Sequence, residues 1–111
     1  MKTFLVEHYW PGVTVEVFSA AAGRVHASAQ ELARNGSPIR YLHATFVPED
    51  EAAFCVFDAE SADLIDLAYL HAGVRYERLV AALEVGPTGR LAPADGDRRP
   101  GQPGGQTLGE R

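Results

Sequence analysis

Residues 39–57 of the chain read IRYLHATFVPEDEAAFCVF, two β-rich runs joined by a short acidic connection. The runs 39–47 and 53–57 are rich in β-branched and aromatic residues, which favour an extended backbone. Residues 48–51 place one proline and three acidic side chains between them. This pattern predicts a β-hairpin whose two strands are antiparallel neighbours.

The segment before the hairpin predicts a strand followed by a helix. Residues 4–9 form a β-like run that ends at the turn 10–12, where a proline fixes φ and a glycine permits a sharp change of direction. Apolar residues recur at helical spacing from residue 15 to about residue 34, behind Thr14 as the N-cap. The positions expected to be buried on this helix are Val17, Ala21, Val25, Ala29 and Leu32.

The segment after the hairpin predicts a second helix and a last strand. The helix opens at Ser61 and ends at Gly73, which supplies a left-handed residue, and residues 78–85 predict the strand. The order strand, helix, strand, strand, helix, strand is that of the ferredoxin-like split βαβ fold in the α+β class. In this fold an antiparallel sheet carries both helices on one face. The apolar stripe expected on the second helix contains Leu64, Ile65, Ala68 and Ala72.

A sheet with both helices on one face leaves its other face open. Simple alternation along the second strand points Leu42, Ala44 and Phe46 toward the helices. The same alternation points four residues to the open face: Tyr41, His43, Thr45 and Val47. An uncovered face with such residues predicts a homodimer formed through it.

Composition limits the chain to one small domain. Its 111 residues, 46% of them hydrophobic, suffice for a single core. Residues 86–111 are dominated by glycine, proline and charge, which predicts a disordered tail after a ferredoxin-like domain of residues 1–85.

Charge and hydropathy exclude several classes of partner. The formal net charge of −5 disfavours nucleic acid, whose phosphates require clustered basic residues. No apolar stretch reaches the length of a membrane-spanning helix. A single cysteine excludes an intramolecular disulfide, and the N-terminus lacks the apolar region of a signal peptide. These features predict a cytoplasmic protein without nucleic-acid or membrane partners.

Two histidines and the cysteine are the candidate metal ligands. His8 ends the first predicted strand, His43 lies in the second, and Cys55 lies in the third. These strands are adjacent in the expected sheet order, so the three side chains can be near neighbours. Imidazole and thiolate favour nickel, zinc, copper or iron over magnesium or calcium. The pattern therefore indicates a divalent transition metal, and no catalytic residue is assigned.

Each candidate also has a structural interpretation. Free cysteine is among the most buried residue types, so Cys55 is favoured as a core residue. A one-residue slip of the hairpin moves Cys55 to the face opposite His43, and the sequence leaves that register open. His8, close to the turn at 10–12, is expected to have the more exposed setting that a ligand or an acid/base group needs.

Several short motifs together resemble one known family. They are His8 before a turn glycine, His43-Ala44, residues 53–56, the acidic entry 58–61 to the second helix, and Ala72-Gly73. Over about residues 3–85 this combination is similar to a small actinobacterial family with a ferredoxin-like fold. That family is mostly of unknown function and includes dimeric nickel-binding members.

The resemblance implies metal binding by histidines of the first two strands, which carries over to His8 and His43. The chain departs from the family in the second helix, where Ala68-Tyr69 occupies the place of an expected histidine and Val74 follows the glycine. The resemblance therefore implies that this helix contributes no ligand. A tight site then needs Cys55, Glu7, water or a second subunit.

The sequence leaves three functions open. The favoured one is a small cytoplasmic, non-enzymatic nickel-binding protein that uses the strand histidines. The second is a dimer similar to cofactor-independent monooxygenases or small-ligand-binding proteins, with His8 or His43 as general base and an apolar pocket shaped by Trp10, Tyr41 and Phe46. The third is a structural interaction module whose open sheet binds a second chain.

Overall fold

The computed structural model describes residues 1–89 and residue 91, which form a four-stranded antiparallel sheet and two helices. A single turn of 3-10 helix, Pro48–Asp50, links the second and third strands. The elements in chain order are β1 (Lys2–Tyr9), α1 (Val15–Arg34), β2 (Ile39–Val47), β3 (Ala52–Ala59), α2 (Ala62–Ala72) and β4 (Arg78–Ala81). The predicted ferredoxin-like arrangement is confirmed.

The strands lie in the order β2-β3-β1-β4, so β3 and β1 are the central strands. Cys55 of β3 lies opposite Ala44 of β2 on one side and opposite Val6 of β1 on the other. His8 lies opposite Ala53, two residues along β3 from Cys55. Because side chains two residues apart point to the same face, this register places His8 and Cys55 on the same side of the sheet.

Helix α1 begins at its predicted cap, where the Thr14 hydroxyl accepts a hydrogen bond from the Val17 N–H at 3.2 Å. Its buried face differs from the prediction at one position, since Val17 is 49% exposed and Phe18 is buried instead. Each residue rotates by about 100° around the helix, so residue 18 and not 17 continues the stripe formed by the later buried positions. Those positions, Ala21, Val25, Ala29 and Leu32, are as predicted.

Helix α2 ends at Gly73, whose φ of 69° is the left-handed conformation that the sequence predicts there. The helix packs Ile65, Ala68 and Tyr69 against the sheet, and all three side chains are almost completely buried. Tyr69 was not among the positions expected in the buried stripe. It extends that stripe because it lies four residues after Ile65.

An irregularity in β2 changes the face to which one aromatic residue belongs. The pairing with β3 shifts between Tyr41 and His43, so that Leu42 is an extra residue in the ladder. Tyr41 lies opposite Phe57 and contacts its ring edge-on on the helix side, with the ring centroids 5.1 Å apart. The prediction that Tyr41 lies on the open face is therefore wrong, because a β-bulge interrupts the alternation.

The open face combines apolar and paired polar side chains. Leu5 lies opposite both Val56 and Val80, and Phe54 lies on the same face near the edge strand β2. Near these residues, the Thr3 hydroxyl donates a hydrogen bond of 2.8 Å to the Asp58 carboxylate. Across the neighbouring strands, Arg78 and Glu7 form an ion pair at 3.0 Å.

The last strand is shorter than predicted. The apolar alternation continues to Val85, but pairing with β1 ends at Ala81, and Val85 instead forms an isolated bridge with Leu91. Alternation alone overestimates the strand because a partner strand is also needed. Most of the predicted disordered tail, 86–111, falls on residues 90 and 92–111, which lie outside the described residues. The division between domain and tail stays a prediction.

No helix in the described part of the chain combines the length and the apolar character that crossing a membrane requires. The homodimer through the open face and the cytoplasmic location stay predictions.

A homodimer predicts a mass in solution near twice the 12.0 kDa of one chain, measured by light scattering after size exclusion. Phe54→Asp, which places a charge in the middle of the open face, is expected to reduce the mass to that of one chain. Gln30→Glu, an exposed change on α1, serves as the control and should leave the mass unchanged. A wild-type protein that runs as a single chain would contradict the dimer.

Candidate functional site

His8 lies in a buried group of polar side chains between the sheet and α2. The alternation of β1 turns Phe4, Val6 and His8 toward the helices, so His8 occupies a position of the core and is 5% exposed. Cys55 faces the same side from β3, and Tyr69 reaches it from α2; each is 1% exposed. We call His8, Cys55, Tyr69 and Tyr41 the His8 cluster.

The contacts within the His8 cluster are made by side-chain heteroatoms. His8 Nε2 lies 3.0 Å from the Tyr69 hydroxyl, a good hydrogen-bond distance, and 3.7 Å from Cys55 Sγ. On its other side Cys55 Sγ lies 3.9 Å from the Tyr41 hydroxyl. The rings of His8 and Tyr69 are 5.5 Å apart, and Phe18 closes the group with an edge contact to His8.

Burial keeps every member of the His8 cluster uncharged at neutral pH. Desolvation lowers the pKa of His8 from its ordinary 6.5, and the backbone of Arg75 partly offsets this. Burial also raises the pKa of the Cys55 thiol, which the Tyr69 and Tyr41 hydroxyls counteract in part. The pKa values of both tyrosines are raised strongly, first by burial and then by the nearby Cys55.

The neutral cluster favours one tautomer of His8. The Tyr69 hydroxyl and the Cys55 thiol keep their protons, so both are donors that seek an acceptor, and Nε2 is the acceptor within reach. The ring proton of neutral His8 is then on Nδ1. Although the backbone of Arg75 lies close enough to raise the pKa, Nδ1 is buried without a partner at hydrogen-bonding geometry.

A cleft of about 470 Å³ opens beside the His8 ring at one end of the sheet. It is lined by residues 8–11 at the end of β1, by Arg24 of α1, and by residues 73–77 after α2. We call it the His8 cleft. It contains Trp10, one of the three residues expected to shape a pocket. The other two lie elsewhere, since Tyr41 is in the His8 cluster and Phe46 stacks on Phe18 with centroids 5.5 Å apart.

His43 lies away from the His8 cluster. It pairs with Val56 of β3 on the open face, where its side chain is exposed. The sheet separates it from His8 and Cys55, so the three predicted ligands of one chain do not come together around one position. The expected exposures are also reversed, because His8 is the buried histidine. Glu7, the other residue considered for the site, faces away from His8 and pairs with Arg78.

A comparison with protein families matches residues 4–81 to the family described as "Nickel responsive protein SCO4226-like". The match covers most of the chain. The protein belongs to this family. No curated protein matches it.

Among solved structures, the chain resembles the crystal structure of SCO4226 from Streptomyces coelicolor A3(2). The TM-score is 0.61 at 16% sequence identity, and the alignment covers 72% of this chain and 94% of SCO4226. At this identity the likeness establishes the shared fold. It agrees with the sheet order and the helix placement described above.

The described residues of this SCO4226-like protein fit a nickel ion in part. His8 Nε2 and Cys55 Sγ are two suitable donors that face each other at 3.7 Å, and imidazole and thiolate both suit nickel. Within residues 1–89 and 91, however, no group of three or more histidine, cysteine, aspartate and glutamate side chains is arranged to hold a metal ion. One chain thus offers a pair of donors.

Sequence reasoning missed Tyr69 as a residue of the His8 cluster, and it missed Arg24 and Arg75 as residues of the adjacent cleft. Tyr69 had a usable signal, because it follows the helical spacing of Ile65 and so belongs to the buried face of α2. A tyrosine there brings a hydroxyl into the core, and that hydroxyl needs a polar partner. The two arginines carried no such signal, since their place beside His8 depends on the packing of α1 and of the segment after α2.

The buried neutral His8 predicts that stability decreases in mild acid. Its pKa is lower in the folded protein than the ordinary 6.5 of the unfolded chain, so the unfolded chain binds the proton more tightly. The free energy of unfolding should therefore have its full value at a pH above 6.5. It should decrease as the pH falls from 6.5 toward the pKa of His8 in the folded protein. Urea titrations across this range measure it.

His8→Gln should flatten this part of the pH profile, because glutamine does not titrate. His43→Gln, at an exposed position of β2 on the other face of the sheet, is the matched control and should keep the wild-type profile. An unchanged slope in the His8 variant would show that other groups cause the loss of stability.

Proposed function

We propose that this protein is a small, non-enzymatic nickel-binding protein, in which His8 Nε2 and Cys55 Sγ are the donors. The observation that carries the proposal is the 3.7 Å contact between these two atoms. Its support at family level is the description of the family as nickel responsive. The bound ion would supply a divalent charge that links β1 to β3.

The spacing of the two donors is close to what a shared ion requires. With bonds of about 2.0–2.1 Å to nitrogen and about 2.3 Å to sulfur, as at zinc, two ligands at a tetrahedral angle lie about 3.5 Å apart. The neutral ring of His8 needs to lose no proton from Nε2, so binding requires only that nickel replace the hydrogen bond from the Tyr69 hydroxyl. The limited number of donors predicts modest affinity from a single chain.

Burial argues against a catalytic role for the same pair. Cys55 is 1% exposed, and the raised pKa of its thiol leaves little thiolate, which is the nucleophilic form. His8 Nε2 is occupied by Tyr69 and Cys55, so it does not face a substrate as a general base. A buried, neutral pair is better suited to hold an ion than to attack a substrate.

His43 takes no part in this proposal. It lies on the open face, so it could contribute only to a separate site, for example one completed by a second chain across that face. The variants in the next paragraph distinguish a site at His8 and Cys55 from a site at His43.

Titration of the chelator-treated protein with Ni²⁺ is expected to show saturable binding that His8→Gln and Cys55→Ser each weaken by about tenfold or more. Wild type, but not Cys55→Ser, should also gain a near-ultraviolet absorption from charge transfer between thiolate and nickel. Both substitutions roughly preserve side-chain size, and circular dichroism verifies that the fold is retained. His71→Gln and His43→Gln, both at exposed positions, are the controls and should bind as wild type. Loss of binding in His43→Gln alone would move the site to the open face and refute the proposal.

Nickel binding should release about one proton per ion, because the thiol of Cys55 has a raised pKa and must become a thiolate. At pH values below that pKa, the affinity for nickel is therefore expected to rise about tenfold for each unit by which the pH is increased. Calorimetry in buffers of different ionisation enthalpy measures the proton directly. Binding without proton release would mean that Cys55 is not a ligand.

A further inference from the structure

The His8 cleft is lined mainly by residues that take no part in the proposed nickel site. We propose that it is a binding site for a small aromatic carboxylate, held by Arg24 and Arg75 and packed against Trp10 and Tyr76. Three properties of the cleft support the proposal: its charge, its aromatic lining and its volume.

The charge of the cleft is opposite to that of the chain. Two basic residues, Arg24 and Arg75, and one acidic residue, Glu77, line it, whereas the chain as a whole has a formal net charge of −5. Within residues 1–89 and 91 neither arginine forms an ion pair. Arg24 donates through Nε to the Ala72 carbonyl at 3.4 Å, a long contact that leaves its terminal nitrogens available. Two unpaired guanidinium groups at one cleft favour a carboxylate, which they can bind with charge-assisted hydrogen bonds.

Two aromatic side chains give the cleft its apolar surface. Trp10, the only tryptophan of the chain, is half-buried in the turn after β1. Tyr76 is held in place, since its hydroxyl donates to Asp66 at 2.6 Å and its ring contacts the edge of Tyr69 with centroids 5.1 Å apart. A planar ligand can stack on such fixed rings at little cost in side-chain entropy.

His8 forms part of the cleft wall, and its side chain is more than nine-tenths buried. Its Nδ1 is buried and interacts with the backbone of Arg75, so the ligand is held by the arginines and the aromatic rings. The volume of about 470 Å³ also lies within the range of small-molecule sites.

Phenylacetate is the probe, and phenylacetamide and inorganic phosphate are its controls. Phenylacetamide has the same ring without the charge, and phosphate has charge without a ring. Binding to the metal-free full chain is measured by calorimetry and by Trp10 fluorescence, which reports on the cleft because the chain has no other tryptophan. Phenylacetate is expected to bind at least about tenfold more tightly than either control.

Arg24→Gln and Arg75→Gln are each expected to weaken phenylacetate binding about tenfold. Arg34→Gln, on the same helix as Arg24 but paired with Glu31 away from the cleft, should have no effect. All three positions are exposed, so the fold should be kept, and nickel binding by the variants should equal that of wild type.

Equal affinity for phenylacetate and phenylacetamide, or unchanged affinity in the two cleft variants, would overturn the proposal. Equal affinity for phosphate would overturn the assignment of an aromatic ligand. Because nickel binding is measured separately on the same variants, failure here is distinguishable from failure of the nickel site.

Discussion

The hydrogen bond between His8 Nε2 and the Tyr69 hydroxyl is the interaction on which the rest of the site depends. It joins β1 to α2 within an otherwise apolar core, where an unpaired imidazole or hydroxyl would be costly. Both residues are therefore held in one orientation, and Cys55 is fixed beside them. The same packing sets the properties of the cluster, because burial keeps all of its groups neutral and gives Nε2 the role of acceptor. The contact thus fixes the position of the candidate ligands, and the burial around it sets their protonation.

The bulge at Leu42 is the second constraint, and it acts by a shift of one residue. It places Tyr41 on the helix side, where its hydroxyl approaches Cys55, and leaves His43 on the open face. Without the extra residue, alternation would place Tyr41 and His43 on the same face. The two histidines that look equivalent in the sequence consequently have opposite surroundings, one buried among polar partners and one exposed.

The fold was largely predictable from the sequence, and the site only in part. Helix and strand periods, the Thr14 cap and the Gly73 stop are local signals, and they place all six elements, although β4 ends earlier than its alternation predicts. The bulge has no clear local signal, so the faces of β2 were predicted only partly correctly. The cluster and the cleft join residues that are more than 40 positions apart, such as His8 with Tyr69 and Arg24 with the segment after α2. Chemistry of that kind depends on packing between elements, which residue spacing along one element does not encode.

The two proposals meet at His8 and at the segment after α2. Nε2 of His8 faces Cys55 within the core, and the same ring forms part of the cleft wall. Nδ1 is buried, and the backbone of Arg75 interacts with the ring and partly offsets the effect of burial on its pKa. A histidine that donates from one nitrogen to an acceptor becomes a better metal ligand at the other. The backbone of Arg75 therefore helps to orient the proposed nickel ligand, whereas its side chain belongs to the proposed carboxylate site.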